Sequence, residues 1–164
     1  MKNTMKKVLA LMLALAAICS IAVMPSSAAS VTLKKGHTYT VKIALYKSDK
    51  NEKSMAASSF KGTAMIKVNS KGKKTMYVYT KPMTYSGVTA SLQEMKVETS
   101  SGGWQQAKVV KKDSDGNPSC FKFTLPHTKN YIKVKVNPHV EMMGNKYLDA
   151  RIKVNWSSLT DTTK

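Results

Sequence analysis

The residues of this chain that could do chemistry are few, and most of them are isolated from one another. The three histidines, His37, His127 and His139, are far apart in the sequence, and no two have the spacing of metal ligands on one helix. The sequence contains neither a Gly-x-Ser-x-Gly nucleophile turn nor a phosphate-binding loop. No two acidic residues form a persuasive acid and base pair. The sequence therefore does not predict an enzyme.

One pair of side chains with ligand chemistry lies near the end of the chain. Met143 and Tyr147 are four residues apart within Tyr131–Trp156, which reads YIKVKVNPHVEMMGNKYLDARIKVNW. The alternation in this segment predicts two antiparallel strands that fold back on each other around Gly144. Two interpretations of the pair are open. It contacts a ligand, or it is a half-exposed cross-strand pair.

The register of that hairpin follows from the requirement that cross-strand partners share a face. A two-residue turn would set Val136 against Lys153 and mix the two faces, so we expect a three-residue loop over residues 144–146. This loop sets three apolar pairs opposite each other: Met142 with Leu148, Val140 with Ala150, and Val136 with Val154. It also places Met143 opposite Tyr147, on the face turned away from the core.

The first 29 residues have the composition of an export signal. Three lysines precede an apolar run, Val8–Met24, which is followed by small residues suited to cleavage after Ala28 or Ala29. A retained membrane anchor is the alternative, but the run is shorter than the roughly 20 residues that a spanning helix needs. We therefore expect residues 1–29 to be a signal peptide and the protein to be secreted or held at the cell wall.

The chain is strongly basic, with 27 Lys and Arg against nine Asp and Glu and a formal net charge of +18. Removal of the three lysines of the leader lowers this charge to +15. Outside the cell, such a charge favours anionic polymers, lipid head groups or ligands that carry carboxylates. Nucleic acid is not expected, because no recognisable binding motif accompanies the charge. Only Cys120 follows the leader, so no intrachain disulfide is expected.

The rest of the chain alternates between apolar and polar residues with a period of two, as in Tyr39–Leu45. This pattern predicts an all-β fold, an immunoglobulin-like antiparallel β-sandwich of about eight strands. We expect one domain over residues 30–157 and a short polar tail over 158–164. Ser54–Phe60 interrupts the pattern and predicts a short helical turn capped by Asp49 or Ser54. An ordinary crossover between strands is the alternative for that segment.

The order of these elements resembles that of NEAT (near-iron-transporter) domains over nearly all of the mature chain. Three features carry the resemblance: the Ser-Met-rich turn after the first long strand, the Lys-Pro-Met segment before Gly87, and the ending KYLDARIKVNW. NEAT domains are immunoglobulin-like modules at the surface of bacteria with thick peptidoglycan walls, and many capture haem. The resemblance therefore implies this fold and a haem-binding function.

The resemblance also implies a haem site with named residues. In haem-binding members, the helical lip supplies a serine to a haem propionate, and a Tyr-x-x-x-Tyr on the final hairpin supplies the iron ligand and its hydrogen-bond partner. By position, Ser54 corresponds to the lip serine and Tyr147 to the second tyrosine, while Met143 occupies the first, ligating position. The implied pocket wall consists of Met55, Ser58 and Phe60.

Met143 changes the iron chemistry that the resemblance implies. A tyrosinate is a hard anionic ligand suited to ferric haem, whereas a thioether is soft and neutral and favours the ferrous state. Three outcomes are open. Tyr147 ligates the iron, Met143 serves as a soft ligand, or the domain binds something other than haem.

We therefore expect a secreted or surface-associated, non-enzymatic NEAT-like module that binds haem in iron acquisition. The alternative is a cell-wall or adhesion module that binds an anionic polymer or a host protein without haem. The missing ligating tyrosine and the basic charge favour this alternative.

Overall fold

The computed structural model describes residues 31–141 and 145–164, which form eleven strands and one short 3₁₀ helix. The strands are β1 (Thr38–Lys47), β2 (Phe60–Val68), β3 (Lys74–Thr80), β4 (Met83–Tyr85), β5 (Val88–Ala90), β6 (Glu94–Glu98), β7 (Trp104–Gln106), β8 (Lys108–Lys112), β9 (Pro118–Thr124), β10 (Tyr131–Asn137) and β11 (Leu148–Asp161). The 3₁₀ helix covers Met55–Ser59, between β1 and β2.

Nine of the strands form one antiparallel sheet in the order β7-β6-β10-β11-β1-β2-β3-β9-β8, and β4 and β5 form a separate hairpin. β7 and β8 lie at opposite ends of this order, although only the buried Ala107 separates them in the chain. The two ends of the sheet must therefore meet, so the sheet curls over into two packed layers. This arrangement confirms the predicted immunoglobulin-like β-sandwich.

The core lies between the two layers and is built by the alternating strands. Val41, Ile43 and Leu45 of β1 point inward, and the intervening Lys42 is exposed to solvent. The core side chains of the other long strands include Ile66, Met76, Val78, Phe121, Ile132, Val134, Ile152 and Val154. Each fully buried side chain of this kind stabilises the fold by about 1.5–3 kcal/mol relative to an exposed one.

The described residues form eleven strands instead of about eight, because Met83–Tyr85 is a strand that was not predicted and because two alternating segments are each divided. The segment Val88–Val97 contains β5 and β6, which belong to different sheets, and Gln105–Lys111 is divided at Ala107. The Ala107 N–H donates to the Met95 carbonyl at 2.8 Å before the chain joins the other layer. Alternation continues across such a break, so hydrophobic pattern alone does not reveal it.

The predicted register of the last hairpin is wrong. Val136 pairs with Leu148, and not with Val154, while Ala150 pairs with Val134, and not with Val140. Residues 144–146 are therefore not the whole loop, since residues 138–147 connect β10 to β11. The chain leaves the sheet at Pro138, which has no N–H to donate to a partner strand.

The buried Asn137 fixes the point at which β10 ends. Its Oδ1 accepts the His139 N–H at 2.9 Å, and its backbone carbonyl accepts the Gln93 N–H at 3.0 Å. His139 and Asn145 both have positive φ, 53° and 45°, so the chain bends sharply at both sides of the loop. The amide of Asn137 thus satisfies the loop backbone in place of a strand partner.

β11 continues to Asp161, although the sequence predicts a polar tail over residues 158–164. The register shifts between Thr40 and Lys42, where β11 has extra residues, and beyond this point Tyr39 pairs with Asp161. Asp161 accepts hydrogen bonds from Thr163 and from His37 Nδ1, and these contacts lower the pKa of its carboxyl to about 2. The end of the chain is therefore tied to the start of β1.

Two further expectations concern Cys120 and a membrane anchor. Cys120 is buried on β9, where burial raises the pKa of its thiol. Within the described part of the chain, no helix has the length and hydropathy to cross a membrane. Residues 1–30 lie outside the described residues, as does the predicted signal peptide within them.

Candidate functional site

The predicted helical lip is present as the 3₁₀ helix, and Ser54, not Asp49, caps it. Ser54 has extended backbone angles, and its Oγ accepts the Ala56 N–H at 3.3 Å. The Ser54 N–H donates to the Leu45 carbonyl at 3.0 Å, which ties the start of the helix to the end of β1. At the other end, the Phe60 N–H donates to the Ala57 carbonyl as β2 begins. The lip is thus held by both flanking strands.

A cavity of about 300 Å³ lies between this lip, the β4–β5 hairpin and the β10–β11 connection. This volume is at the lower end of the range of about 300–1,000 Å³ that is typical of small-molecule sites. Most of the lining is apolar: Met55, Ala56, Met83, Val88, Ala90, Leu92, Val136, Pro138, Val140, Leu148 and Ala150. Such a wall suits a flat apolar ligand that is only partly enclosed.

The polar residues that line the cavity are Ser54, Ser59, Ser86 and Asp149. Ser59 is buried, and its Oγ donates to the Ala56 carbonyl at 2.7 Å, so its proton is used within the lip. Asp149 Oδ1 accepts from Lys135 Nζ at 2.7 Å on the outer face of the sheet. Ser54 can donate its own proton while its oxygen accepts from Ala56. It is therefore the residue of the lip best placed to meet a ligand carboxylate.

The structure brings together only part of the predicted site. Ser54 and Met55 line the cavity, and Met55 is 62% exposed at its rim. Ser58 is exposed, and the neighbouring Ser59 lines the cavity instead. Phe60 is buried in the core. Met143 lies outside the described residues.

Tyr147 lies on the outer face of the sheet, away from the cavity. Its phenol donates to Glu94 Oε2 at 2.6 Å, and Lys96 Nζ lies 4.3 Å from the centre of its ring. Gln106 Oε1 is 3.4 Å from the phenol oxygen, and His139 Nε2 is 3.5 Å from Glu94 Oε2. Leu148, the next residue, points into the cavity. The two residues face opposite sides because side chains alternate along a strand.

These contacts shift two pKa values in opposite directions. The hydrogen bond from Tyr147 lowers the pKa of the Glu94 carboxyl, with smaller contributions from His139 and Lys96. Partial burial, followed by Glu94 itself, raises the pKa of the Tyr147 phenol. The phenol is therefore held in its neutral, donating form, and not as the phenolate that ferric iron prefers.

The β4–β5 hairpin forms a wall of the cavity that was not predicted from the sequence. Its turn residues, Ser86 and Gly87, both have positive φ, 49° and 79°. These angles are typical of the two-residue hairpin turn that joins short antiparallel strands. The Ser-Gly pair between Met83–Tyr85 and Val88–Ala90 is thus a signal that could have identified this wall.

The outer face around Tyr147 carries a row of aromatic rings, each with a cation above it. Lys135 Nζ lies 4.9 Å from the centre of the Trp104 ring, and the Arg151 guanidinium carbon lies 4.5 Å from that of Tyr131. Lys153 Nζ is 5.2 Å from the ring centre of Tyr46 and 5.9 Å from that of Tyr131. We call Tyr46, Lys96, Trp104, Tyr131, Lys135, Tyr147, Arg151 and Lys153 the outer aromatic face.

A curled antiparallel sandwich with an apolar cavity between a helical lip and its last hairpin defines a small binding module of the immunoglobulin-like class. The family model described as NEAT, the Iron Transport-associated domain, matches residues 32–156. The chain belongs to this family. No curated protein matches its sequence.

Two solved structures from the NEAT5 domain of IsdX2 are similar to this fold. One is the domain of IsdX2, a B. anthracis hemophore, in complex with heme, with 23% identity over 74% of this chain and 97% of the solved one and a TM-score of 0.59. The other is a mutant of IsdX2-NEAT5 in complex with heme, with 23% identity over 75% and 97% of the two chains and a TM-score of 0.60. These matches support the fold.

A metal site made by protein side chains alone is not evident in residues 31–141 and 145–164, where no three His, Cys, Asp or Glu side chains gather. Two acidic residues near the hairpin, Glu94 and Asp149, are already paired with Tyr147 and Lys135. What the arrangement offers is an apolar cavity with a serine at its rim.

We predict that Tyr147→Phe raises the pKa of Glu94 toward its ordinary value, because it removes the largest contact that favours the carboxylate. A lowered pKa in the folded chain stabilises the fold above the ordinary carboxyl pKa, and this contribution is lost as pH falls through the lowered value. The variant should therefore lose stability at pH 7 and little at acid pH, by at most about 1 kcal/mol because the site is partly exposed.

The measurement is an NMR titration of the Glu94 carboxyl, with urea unfolding at both pH values. Tyr77→Phe on β3 is the matched control, since it removes a phenol outside this cluster. An unchanged titration of Glu94 in the Tyr147 variant would show that the contact does not hold the carboxylate.

Proposed function

We propose that the cavity binds haem and that the protein is a non-catalytic module of iron acquisition. The observation that carries the proposal is the apolar cavity between the lip and the last hairpin in a chain of the NEAT family. Two solved structures of one domain that is similar in fold, IsdX2-NEAT5, are complexes with heme. Haem is the cargo of such a module, so the protein has to hold it and release it without changing it chemically.

The wall residues account for most of the expected binding free energy. Burial of apolar surface contributes about 25 cal/mol per Å² removed from water, and the ring system of haem is flat and largely apolar. Ser54 at the rim supplies a hydroxyl donor for one propionate. Lys53 precedes it and is exposed, so its ammonium group can pair with the same carboxylate.

The iron ligands that the family resemblance implied have less support than the apolar wall and Ser54. Met143 remains a prediction, because it lies outside the described residues. The same role for Tyr147 would require its phenol to leave Glu94 and its side chain to cross to the other face of β11. The proposal of haem binding therefore rests on the ring system and the carboxylates of haem.

A charge placed in the cavity wall should weaken haem binding. Val88 lines the cavity and is 40% exposed on the β4–β5 hairpin, so Val88→Glu adds a carboxylate there without disturbing the main core. We expect hemin to bind the variant at least about tenfold more weakly, which corresponds to about 1.4 kcal/mol. Titration of the Soret band with purified protein measures this change.

Val110→Glu on β8 is the matched control for this experiment. Val110 is 43% exposed and lies outside the cavity wall, so the same substitution should leave hemin affinity within about twofold. Circular dichroism establishes that both variants are folded. Equal affinity of the two variants would contradict the cavity as the haem site, and no saturable binding by the parent protein would contradict haem binding itself.

We also propose that the protein is exported and acts outside the cell or at the cell wall. The support is the sequence of residues 1–29, in which lysines, an apolar run and small residues follow one another. N-terminal sequencing of protein from the culture medium and the wall fraction should give a start near Ser30. A start at Met1 in protein recovered from the membrane fraction would instead indicate a retained anchor.

Binding of an anionic polymer is a second candidate function, favoured by the outer aromatic face. Its four cations lie over aromatic rings, which limits their motion and holds them in rows on one surface of the sheet. Glu94, Glu98 and Asp149 also lie on this face and offset three of its positive charges, while the exposed Lys133 adds one, so the face keeps a net positive charge. The remaining positive potential suits a wall polymer or an acidic protein surface.

This candidate predicts that loss of cations from the outer aromatic face matters more than loss of the same charge elsewhere. We expect Arg151→Gln with Lys153→Gln to weaken retention on poly-glutamate at least about fivefold, and added salt to weaken it further. The control is Lys111→Gln with Lys112→Gln on β8, which changes the net charge equally. Equal losses in the two double variants would show that only net charge matters.

A further inference from the structure

The atoms that line the cavity differ from those that a ferric iron would select. Ferric iron prefers hard, anionic ligands such as a phenolate, or an imidazole nitrogen. Within the described residues, the cavity wall contains neither a tyrosine, a histidine nor a cysteine. Its thioethers, from Met55 and Met83, are soft and neutral and favour ferrous iron. The described wall thus suits the ring of haem better than its metal.

Three polar side chains of the wall already make hydrogen bonds within the protein. Asp149, the one carboxylate among the lining residues, accepts from Lys135 at 2.7 Å, and its side chain is 61% exposed on the outer face. The Ser59 hydroxyl donates within the lip at 2.7 Å. Ser54 accepts from the Ala56 N–H, and a neutral serine hydroxyl is a poor ligand for iron. None of these groups offers a free anionic oxygen to the middle of the cavity.

Tyr147 is excluded from the cavity by three independent observations. The pairing of Val136 with Leu148 fixes Leu148, and not Tyr147, on the inner face. The phenol already donates to Glu94 at 2.6 Å. The ammonium of Lys96 covers the Tyr147 ring at 4.3 Å. Moving the ring inward would break both side-chain contacts and would displace Leu148 from the inner face.

We propose that this cavity recognises the tetrapyrrole ring and its carboxylates, and that its affinity for them depends little on the metal in the ring. The inference rests on the proposed function, since it concerns the ligand of the same site. Its ligand class is therefore wider than haem: it includes the metal-free porphyrin and porphyrins that contain metals without a need for an axial ligand. The binding energy comes from the apolar wall and the serine at its rim.

The experiment compares three ligands on the purified full-length protein: hemin, metal-free protoporphyrin IX and gallium protoporphyrin IX. Quenching of protein fluorescence and the porphyrin spectra give the dissociation constants. We expect the three values to agree within about fivefold. Hemin binding at least about a hundredfold tighter than metal-free porphyrin would overturn the inference while the proposed haem function stands. Failure of all three ligands to bind would overturn both.

Tyr147→Phe and Met143→Leu test the positions at which the family resemblance places iron ligands. We expect Tyr147→Phe, whose side chain lies on the outer face, to leave both hemin and metal-free porphyrin affinity within about threefold, with an unshifted Soret band. A loss of hemin affinity that spares the metal-free ring, in either variant, would identify an axial ligand and overturn the inference. Val88→Glu should weaken all ligands alike, because it changes the wall that they share.

Discussion

The register of β11 against β10 determines which side chains of the last hairpin reach the cavity. With Val136 opposite Leu148, residues 148, 150, 152 and 154 point inward, and residues 147, 149, 151 and 153 point outward. A shift of one residue would exchange the two sets, because side chains alternate with a period of two. The cavity wall and the outer aromatic face are thus two results of one pairing. Asn137, whose amide binds the loop backbone, marks the end of that pairing.

This dependence explains why the fold could be predicted from the sequence more fully than the site. Alternation such as Val41-Ile43-Leu45 identifies the residues that enter the core. Ser54, as a helix cap, identifies the start of the lip. The hairpin register instead depended on a buried amide and on positive φ at His139 and Asn145, which no hydrophobic pattern encodes. The apolar pairing predicted from the sequence was therefore self-consistent but wrong. It placed Tyr147 opposite Met143.

The parts of the cavity differ in how firmly the fold supports them. The floor belongs to β10 and β11, which lie within the nine-stranded sheet. The opposite wall is the β4–β5 hairpin, whose two short strands form a separate sheet and bury little apolar surface of their own. A two-stranded hairpin is only marginally stable alone, so this wall depends on its contacts with the lip. The fold therefore holds the β4–β5 wall less firmly than the β10–β11 side of the cavity.

Charge is divided between the two surfaces in a way that constrains any ligand. The cavity wall is nearly free of charge, whereas the outer aromatic face carries Lys96, Lys135, Arg151 and Lys153. An anionic group would lose hydration without compensation inside the cavity, so the carboxylates of a bound molecule must remain at the rim beside Ser54. That requirement orients a flat ligand with two carboxylates on one edge, because only its apolar edge can enter. One side of β11 thus faces the nearly uncharged cavity, and its other side carries cations of the outer aromatic face.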